Sequence, residues 1–131
     1  MKLWLQNMKI VLDTSSLIRF FTRDIKEKAA KVKLLLEDEK VVVPDVVFPE
    51  LEYVLMNEYS RTRDDLVELY RFLISQNNIR TSAVVKKAVA IFSSSNLDMA
   101  DCIIAAHALK GKLASFDKEL LRIEGIQMFW K

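Results

Sequence analysis

Cysteine and histidine are almost absent from this sequence, which contains one of each, Cys102 and His107. A single cysteine excludes an internal disulfide and a cysteine-rich zinc site, and a single histidine argues against a histidine-based metal site or triad. Glycine and proline occur only twice each, so we expect short loops and a high helix content. The sequence has no apolar run long enough to span a membrane. Residues 1–7 lack the apolar core of a signal peptide, which favours a cytoplasmic protein.

The remaining composition is typical of a folded globular domain, since 51% of the residues are hydrophobic and 29% are charged. A length of 131 residues suits one domain with a proper core. We therefore predict a single domain over residues 1–131, in which residues 1–7 form a ragged N-terminal extension. The formal net charge of +2 is too small to indicate a nucleic-acid-binding protein, but it does not exclude local basic patches.

Short apolar runs alternate along the chain with segments of helical periodicity. The runs predicted to form strands are 10–12, 40–44, 79–81, 113–116 and 126–130. The segments predicted to form helices are 17–21, 24–39, 45–60, 62–75, 82–92, 98–109 and 117–123. This alternation predicts an α/β fold in which helices cover both faces of a parallel sheet, and the run at 10–12 should be buried on both sides.

Helix caps mark several of these boundaries. A hydroxyl residue directly after Asp13 is predicted to cap the first helix, and Asp45 is predicted to cap the third. Pro49 is tolerated only in a first turn, so the regular part of the third helix should begin near Phe48. The remaining predicted N-caps are Thr62, Ser82 and Asp98.

Four acidic residues lie beside apolar segments rather than on charged faces. Asp13 and Asp117 each follow a predicted strand, whereas Glu50 and Asp101 lie in the first turns of apolar helices. Strand ends and helix N-termini at one edge of a parallel sheet share a crevice, so we expect the four acids to converge there. Converging carboxylates repel one another, and a hard divalent cation such as Mg²⁺ or Mn²⁺ relieves the repulsion. The pattern favours metal-assisted hydrolysis, most often of a phosphodiester.

Each acid also has a purely structural explanation. Asp13 is a possible turn former, Glu50 a helix-start glutamate and Asp117 an N-cap. Asp98 lies three residues before Asp101 on the same side of the helix, and we predict it to be an N-cap with at most an indirect role in the site. Asp101 is the hardest to explain structurally, because the helix around it has few other polar groups.

The segments IVLDTSSLIRFF, PELEYVL, LDMADCIIAAHA and LASFDKEL resemble, in this order, the motifs of PIN-domain ribonucleases, and most closely those of VapC-type toxins. The resemblance covers the chain from Met8 onward. It implies a three-layer α/β/α fold around a short central parallel sheet of four to five strands, and a homodimer. It also implies RNA cleavage that depends on Mg²⁺ or Mn²⁺, and inhibition by a cognate antitoxin.

The four acids of the family correspond, motif by motif, to Asp13, Glu50, Asp101 and Asp117. Ser15 corresponds to a residue that often supports the metal site, and Ser115 matches a position where the family often has Thr or Ser. Pro49 departs from the family pattern, in which helix formers are commoner before the second acid.

Three basic residues that follow the first motif, Arg19, Arg23 and Lys26, are predicted to contact RNA phosphates, although each is also explained as a solvated surface residue. Two other functions stay open. One is a PIN nuclease of RNA processing outside toxin biology. The other is a non-catalytic α/β binding module whose acids only cap helices and turns, and metal binding that depends on Asp13 or Asp101 would distinguish it from a nuclease.

Overall fold

Helices dominate the structure, a computed structural model that describes residues 8–131. The predicted extension at residues 1–7 lies outside this range. The described residues form seven helices: α1 (Thr14–Thr22), α2 (Lys26–Asp38), α3 (Val47–Glu58), α4 (Arg63–Ser75), α5 (Ala83–Ser93), α6 (Met99–Ala108) and α7 (Lys118–Leu121). Helices α2 to α7 agree with the predicted bounds to within two residues at each end. Over residues 8–131, no helix combines the length and the apolar composition that crossing a membrane requires.

The strands pair in parallel over very short distances. Strand β1 (Val41–Val42) pairs with β2 (Ile79–Arg80) on one edge and with residues 10–12 on the other, through a bridge between Val11 and Val42. A second parallel bridge joins Leu113 to Met128. All five predicted strand segments therefore take part in parallel pairing, which confirms the α/β class. Pairing is shorter than predicted around β1, where Pro44 has no backbone N–H to extend the ladder.

The first strand is buried on one side only. Leu12 belongs to the core, but Val11 is 56% exposed, so the prediction that both faces are covered is wrong. Successive side chains of a strand point to opposite faces. The face that carries Leu12 packs into the core, whereas the face that carries Val11 remains open.

A cluster of three fully buried aromatic residues joins helices α3, α4 and α5. The ring of Tyr70 lies 5.3 Å from that of Phe48 and 5.2 Å from that of Phe92. The hydroxyl group of Tyr70 donates a hydrogen bond to the backbone carbonyl of Phe48, so its one polar group is satisfied inside the core. Burial raises the pKa of this hydroxyl far above its usual value, which keeps it protonated as a donor.

Replacing Tyr70 with Phe is expected to lower the free energy of unfolding by about 1 kcal/mol, because one buried hydrogen bond is lost while the ring packing is retained. The melting temperature should fall by roughly 4 °C. The exposed Tyr53 provides a matched control, since Tyr53→Phe removes a hydroxyl from the surface and should leave the melting temperature unchanged. Equal melting temperatures for Tyr70→Phe and the parent protein would contradict this role of the hydroxyl.

The cap of the first helix differs from the prediction. Asp13 itself is the N-cap of α1: its Oδ1 accepts a hydrogen bond from the backbone N–H of Ser16 at 3.0 Å, and Thr14 is the first helical residue. An ionised carboxylate is a stronger acceptor than a hydroxyl oxygen, which explains why the acid takes this position.

The predicted cap of α3 is also wrong. The carboxylate of Asp45 accepts a hydrogen bond from the hydroxyl of Ser82 at 2.7 Å, and the N-cap position of α3 is occupied by Val46, which makes no side-chain hydrogen bond. A contact with a distant residue therefore replaces the local cap. Pro49 lies in the first turn of α3, as expected. The predicted caps that are confirmed are Thr62, Ser82 and Asp98.

Candidate metal-binding active site

Asp13 is exposed and held in its ionised form by local donors. The hydroxyl of Ser15 donates to its carboxylate, with Oγ 2.9 Å from Oδ1 and 3.0 Å from Oδ2. The backbone N–H of Ser16 and this hydroxyl lower the pKa of Asp13 below its usual value. The carboxylate is therefore charged at neutral pH and faces solvent. This arrangement agrees with the supporting role predicted for Ser15.

A hydrogen bond between side chains connects the residue after the first acid to the second acid. Thr14 Oγ1 donates a hydrogen bond to Glu50 Oε1 at 2.6 Å. Thr14 is the first residue of α1, and Glu50 lies in the first turn of α3. The positive end of the α3 dipole favours the negative charge of Glu50 at this position. Thr14 thus joins Glu50 to the first residue of α1, the helix that Asp13 caps, a role that sequence reasoning did not assign to it.

The third acid lies in the first turn of α6, and the fourth is the N-cap of α7. Asp98 caps this helix by accepting a hydrogen bond from the backbone N–H of Asp101 at 2.8 Å. Burial raises the pKa of Asp101 above its usual value, and the negative charges of Asp98 and Asp117 raise it further. Asp117 is therefore near enough to repel Asp101, although the two residues are far apart in sequence.

Hydrogen bonds to neighbouring residues hold Asp117 in place. Its N–H donates to Ser115 Oγ at 3.0 Å, and its Oδ1 accepts hydrogen bonds from the first turn of α7. Ser115 therefore orients the turn that carries Asp117, as its position before this acid suggested. Asp117 is therefore the N-cap of α7, as its structural explanation predicted. Its Oδ2 takes no part in these hydrogen bonds to α7.

Glu52 links the two halves of the site, and sequence reasoning missed it. Its Oε1 accepts a hydrogen bond from the backbone N–H of Met99 at 2.8 Å, which fastens α3 to the start of α6. Burial is the main cause that raises the pKa of this half-buried carboxyl, and the charge of Asp98 adds to it. The only sequence signal was a second glutamate two positions after Glu50.

The four predicted acids fall into two groups, Asp13 with Glu50 and Asp101 with Asp117, and α3 connects the groups. Across residues 8–131, no three Asp, Glu, His or Cys side chains lie close enough to hold a metal ion. Their convergence into one site stays a prediction. The chemistry of the donors fits a hard divalent cation, because every ligand on offer is a carboxylate or hydroxyl oxygen.

Two clefts flank Ser15. One has a volume of about 600 Å³ and is lined by residues of α1 and α3, including Glu50 and Tyr53. The other has a volume of about 290 Å³ and is lined by Ser15, Ser16, Arg19, Lys28, Lys31 and Val32. The second cleft is basic. Its lining includes Ser15 and Ser16, which donate hydrogen bonds to the carboxylate of Asp13.

The basic residues predicted to bind RNA are divided between two places. Arg19 lines both clefts beside Ser15, where its guanidinium group forms an ion pair with Asp24 at 2.7 Å. Arg23 and Lys26 instead line a separate groove between α1, α2 and α4.

Lys28 and Lys31 lie next to the candidate site and were not predicted. They are exposed, three residues apart and therefore on one face of α2, which packs against α1. This spacing was visible in the sequence, but only the packing of α2 on α1 shows that the face borders Ser15.

Comparisons with known proteins identify the family to which the chain belongs. The family model of the PIN domain matches residues 10–126. The chain is also 26% identical over 107 residues to a VapC ribonuclease of Aquifex aeolicus (strain VF5), an alignment that covers 76% of this chain and 78% of that protein. The family match extends over the predicted motifs in the predicted order, and it confirms the three-layer α/β/α fold that the resemblance implied. The chain therefore belongs to the PIN domain family.

Proposed function

We propose that the protein is a metal-dependent endoribonuclease of the VapC type, which hydrolyses phosphodiester bonds of RNA. The observation that carries the proposal is the hydrogen bond from Thr14, the residue after Asp13, to Glu50, which joins the N-termini of α1 and α3. Burial, and then the charges of the acids Asp98 and Asp117, also raise the pKa of Asp101. A fold gains no stability from gathering like charges, so such a cluster is expected where a cation or a reaction requires it. Membership of the PIN domain family and similarity to a VapC ribonuclease support the same activity.

The residues that would hold Mg²⁺ or Mn²⁺ are Asp13, Glu50, Asp101 and Asp117. A bound divalent cation of this kind lowers the pKa of a water molecule and neutralises charge that develops on phosphate oxygens. The acids contribute by offering charged oxygen atoms from four separate elements. Asp98 and Glu52 act indirectly, because they hold the N-terminus of α6, which carries Asp101.

Hydroxyl groups prepare these acids for binding. Ser15 lowers the pKa of Asp13 and so keeps it free of a proton that would compete with a cation. Thr14 restricts the Glu50 carboxylate to one orientation. Ser115 fixes the backbone at Asp117. Such partners of metal ligands commonly contribute about 10- to 100-fold to affinity or activity.

RNA would be held mainly through its phosphates. Lys28 and Lys31 lie in the cleft beside Ser15, and Arg19 lines its wall. Arg23 and Lys26 line the separate groove between α1, α2 and α4 and would contact phosphates outside the cleaved step. Contacts of this type are independent of base sequence and weaken as the salt concentration rises.

The biological role proposed here is that of a toxin that a cognate antitoxin inhibits. The similarity to a VapC ribonuclease supports this role. We further propose a homodimer and a cytoplasmic location, as expected from the family. Inhibition of cleavage by a small protein encoded beside this gene would support the toxin role over a function in RNA processing.

The activity can be tested on total RNA with and without metal. Cleavage is expected in the presence of Mg²⁺ or Mn²⁺, should stop when excess EDTA is added, and should return when the metal is restored. Mapping of the new RNA 5′ ends identifies the cleaved phosphodiesters. Cleavage that persists unchanged in EDTA would contradict the metal requirement, and metal binding by calorimetry without cleavage would favour a binding module.

A further inference from the structure

An exposed aromatic cluster lies beside the fourth acid. Phe116 is 86% exposed and Trp130 is 50% exposed, yet their rings are stacked, with centroids 4.7 Å apart and planes 8° from parallel. The ring of Phe129 meets that of Trp130 edge to face at 5.6 Å. We call Phe116, Phe129 and Trp130 the aromatic cluster.

Backbone pairing builds the cluster. Leu113 is bridged in parallel to Met128, with hydrogen bonds from Leu113 N–H to the Gln127 carbonyl and from Phe129 N–H to the Leu113 carbonyl. This register brings the residues after Leu113 alongside the residues after Met128. The stack therefore has a defined position on the last two strand segments, and the ring of Phe116 is presented to solvent before any ligand arrives.

The position of the cluster relates it to the candidate active site. Phe116 directly precedes Asp117, so the two Cα atoms are only about 3.8 Å apart. Ser115 and the first turn of α7 hold the backbone of Asp117 in place. A base stacked on Phe116 would therefore be held by the residue directly before Asp117.

Two lysines lie on the same strand segments as the aromatic cluster. Lys112 and Lys131 line a cleft of about 490 Å³ together with Gln127 and Met128, on the same two strand segments. Aromatic rings that stack on bases, combined with lysines that contact phosphates, form the usual binding surface for single-stranded nucleic acids. An acidic protein partner would match the lysines but would leave the flat stacked rings unexplained.

We propose that the aromatic cluster is a base-stacking site for single-stranded RNA, in which Phe116 and Trp130 hold a base close to the phosphodiester that is cleaved. Lys112 and Lys131 contact the phosphates of the same strand. The inference rests on the proposed ribonuclease function and adds to it the place where a base is held, which must be unpaired because a base in a duplex cannot stack on a protein ring.

Binding of a fluorescently labelled single-stranded RNA of about ten nucleotides tests the proposal. Asp13→Asn serves as the parent protein, so that the RNA stays intact during an anisotropy titration. Adding Phe116→Ala is expected to weaken binding by about 5- to 100-fold, the range typical of one stacked base. Phe116→Trp should restore binding, because it keeps an aromatic face. Leu34→Ala is a matched control, since it removes an exposed apolar side chain from α2 and should leave the affinity unchanged.

Tryptophan fluorescence gives an independent readout. The sequence contains two tryptophans, so Trp4→Phe leaves Trp130 as the single reporter. Single-stranded RNA should quench its emission with the same dissociation constant as in the anisotropy titration. A perfectly paired duplex of the same length should quench it much less.

The outcomes separate this inference from the proposed function. If the wild type cleaves RNA in a metal-dependent way but Phe116→Ala binds as tightly as its parent, the stacking site is refuted and the nuclease stands. If the wild-type protein does not cleave RNA with any divalent metal, the proposed function is refuted, and the stacking site is refuted with it because it rests on that function. Two results would assign the cluster to a protein contact and overturn the proposal. One is a Phe116→Ala variant that is a monomer in light scattering although its parent is a dimer. The other is a change in Trp130 emission, without RNA, when residues 2–7 are deleted.

Discussion

Replacing Asp13 with Asn is expected to reduce metal-dependent RNA cleavage by at least about 100-fold, equivalent to roughly 3 kcal/mol of lost transition-state stabilisation. The amide removes the negative charge, whereas its oxygen can still accept the hydrogen bond from Ser16 that begins α1. Asn and Asp are about equally good N-caps, so the variant should stay folded. It should lose a little stability at neutral pH, because the donors that lower the pKa of Asp13 favour its charged form. The substitution therefore separates the charge of this residue from its role in the fold.

Initial rates of cleavage on one labelled RNA, measured at saturating Mg²⁺ or Mn²⁺, check this prediction. Circular dichroism and the melting temperature of the same preparation establish that the variant is folded. Asp64→Asn is a suitable control, because it removes an exposed acid in the first turn of α4 and should retain full activity. Full cleavage by Asp13→Asn in a preparation free of other nucleases would refute the assignment of the site.

Replacing Asp101 with Asn is expected to have two effects of opposite sign. Cleavage should fall by at least about 100-fold, because a proposed metal ligand loses its charge. Without metal the variant should be more stable than the parent, since burial and the charges of Asp98 and Asp117 oppose ionisation of Asp101. Relief of this repulsion should raise the melting temperature by roughly 1–3 °C.

The gain in stability should depend on pH in a definite direction. Because the pKa of Asp101 is raised in the folded state, its ionised form destabilises the fold at every pH above that folded value. As the pH falls through the folded pKa towards the ordinary value of 3.8, Asp101 takes up a proton and the penalty disappears. The advantage of Asp101→Asn in EDTA should therefore be complete at pH 7 and absent below pH 3.8.

Melting curves of both proteins in EDTA between pH 3 and pH 8 measure this difference directly. Asp64→Asn again provides a matched loss of one negative charge from an exposed position and is measured over the same pH range. A variant Asp101→Asn that is less stable than the parent at pH 7 would indicate that the favourable helix dipole at α6 outweighs the repulsion.

Comparison of the two caps that were predicted wrongly shows where local rules end. Asp45 follows the rule for an N-cap, yet its carboxylate is bound to the hydroxyl of Ser82, a partner that only the folded chain brings close. At Asp13 the choice between carboxylate and hydroxyl was local, and the stronger acceptor took the position. The other caps followed the local rule, because their partners lie within three residues along the chain.

The basic residues show the same division. Arg23 and Lys26 are nearer in sequence to Asp13 than Lys28 and Lys31 are, but the lysines line the cleft beside Ser15. Helix α2 turns its residues to different sides every few positions, so proximity in sequence is a poor guide to proximity in space. The decisive fact is which face of α2 borders α1, and this depends on packing.

The sequence alone determined the order of helices and strands and the parallel α/β class, and it predicted the four acids with their flanking hydroxyl residues. These features depend on periodicity, on turn chemistry and on motifs in a fixed order, all of which act over a few residues. Only the tertiary structure decided that Thr14 binds Glu50, that Glu52 fastens α3 to α6, and that Phe116 stacks on Trp130 beside Asp117. Each of these contacts joins residues at least 14 positions apart, and such contacts depend on how whole elements pack.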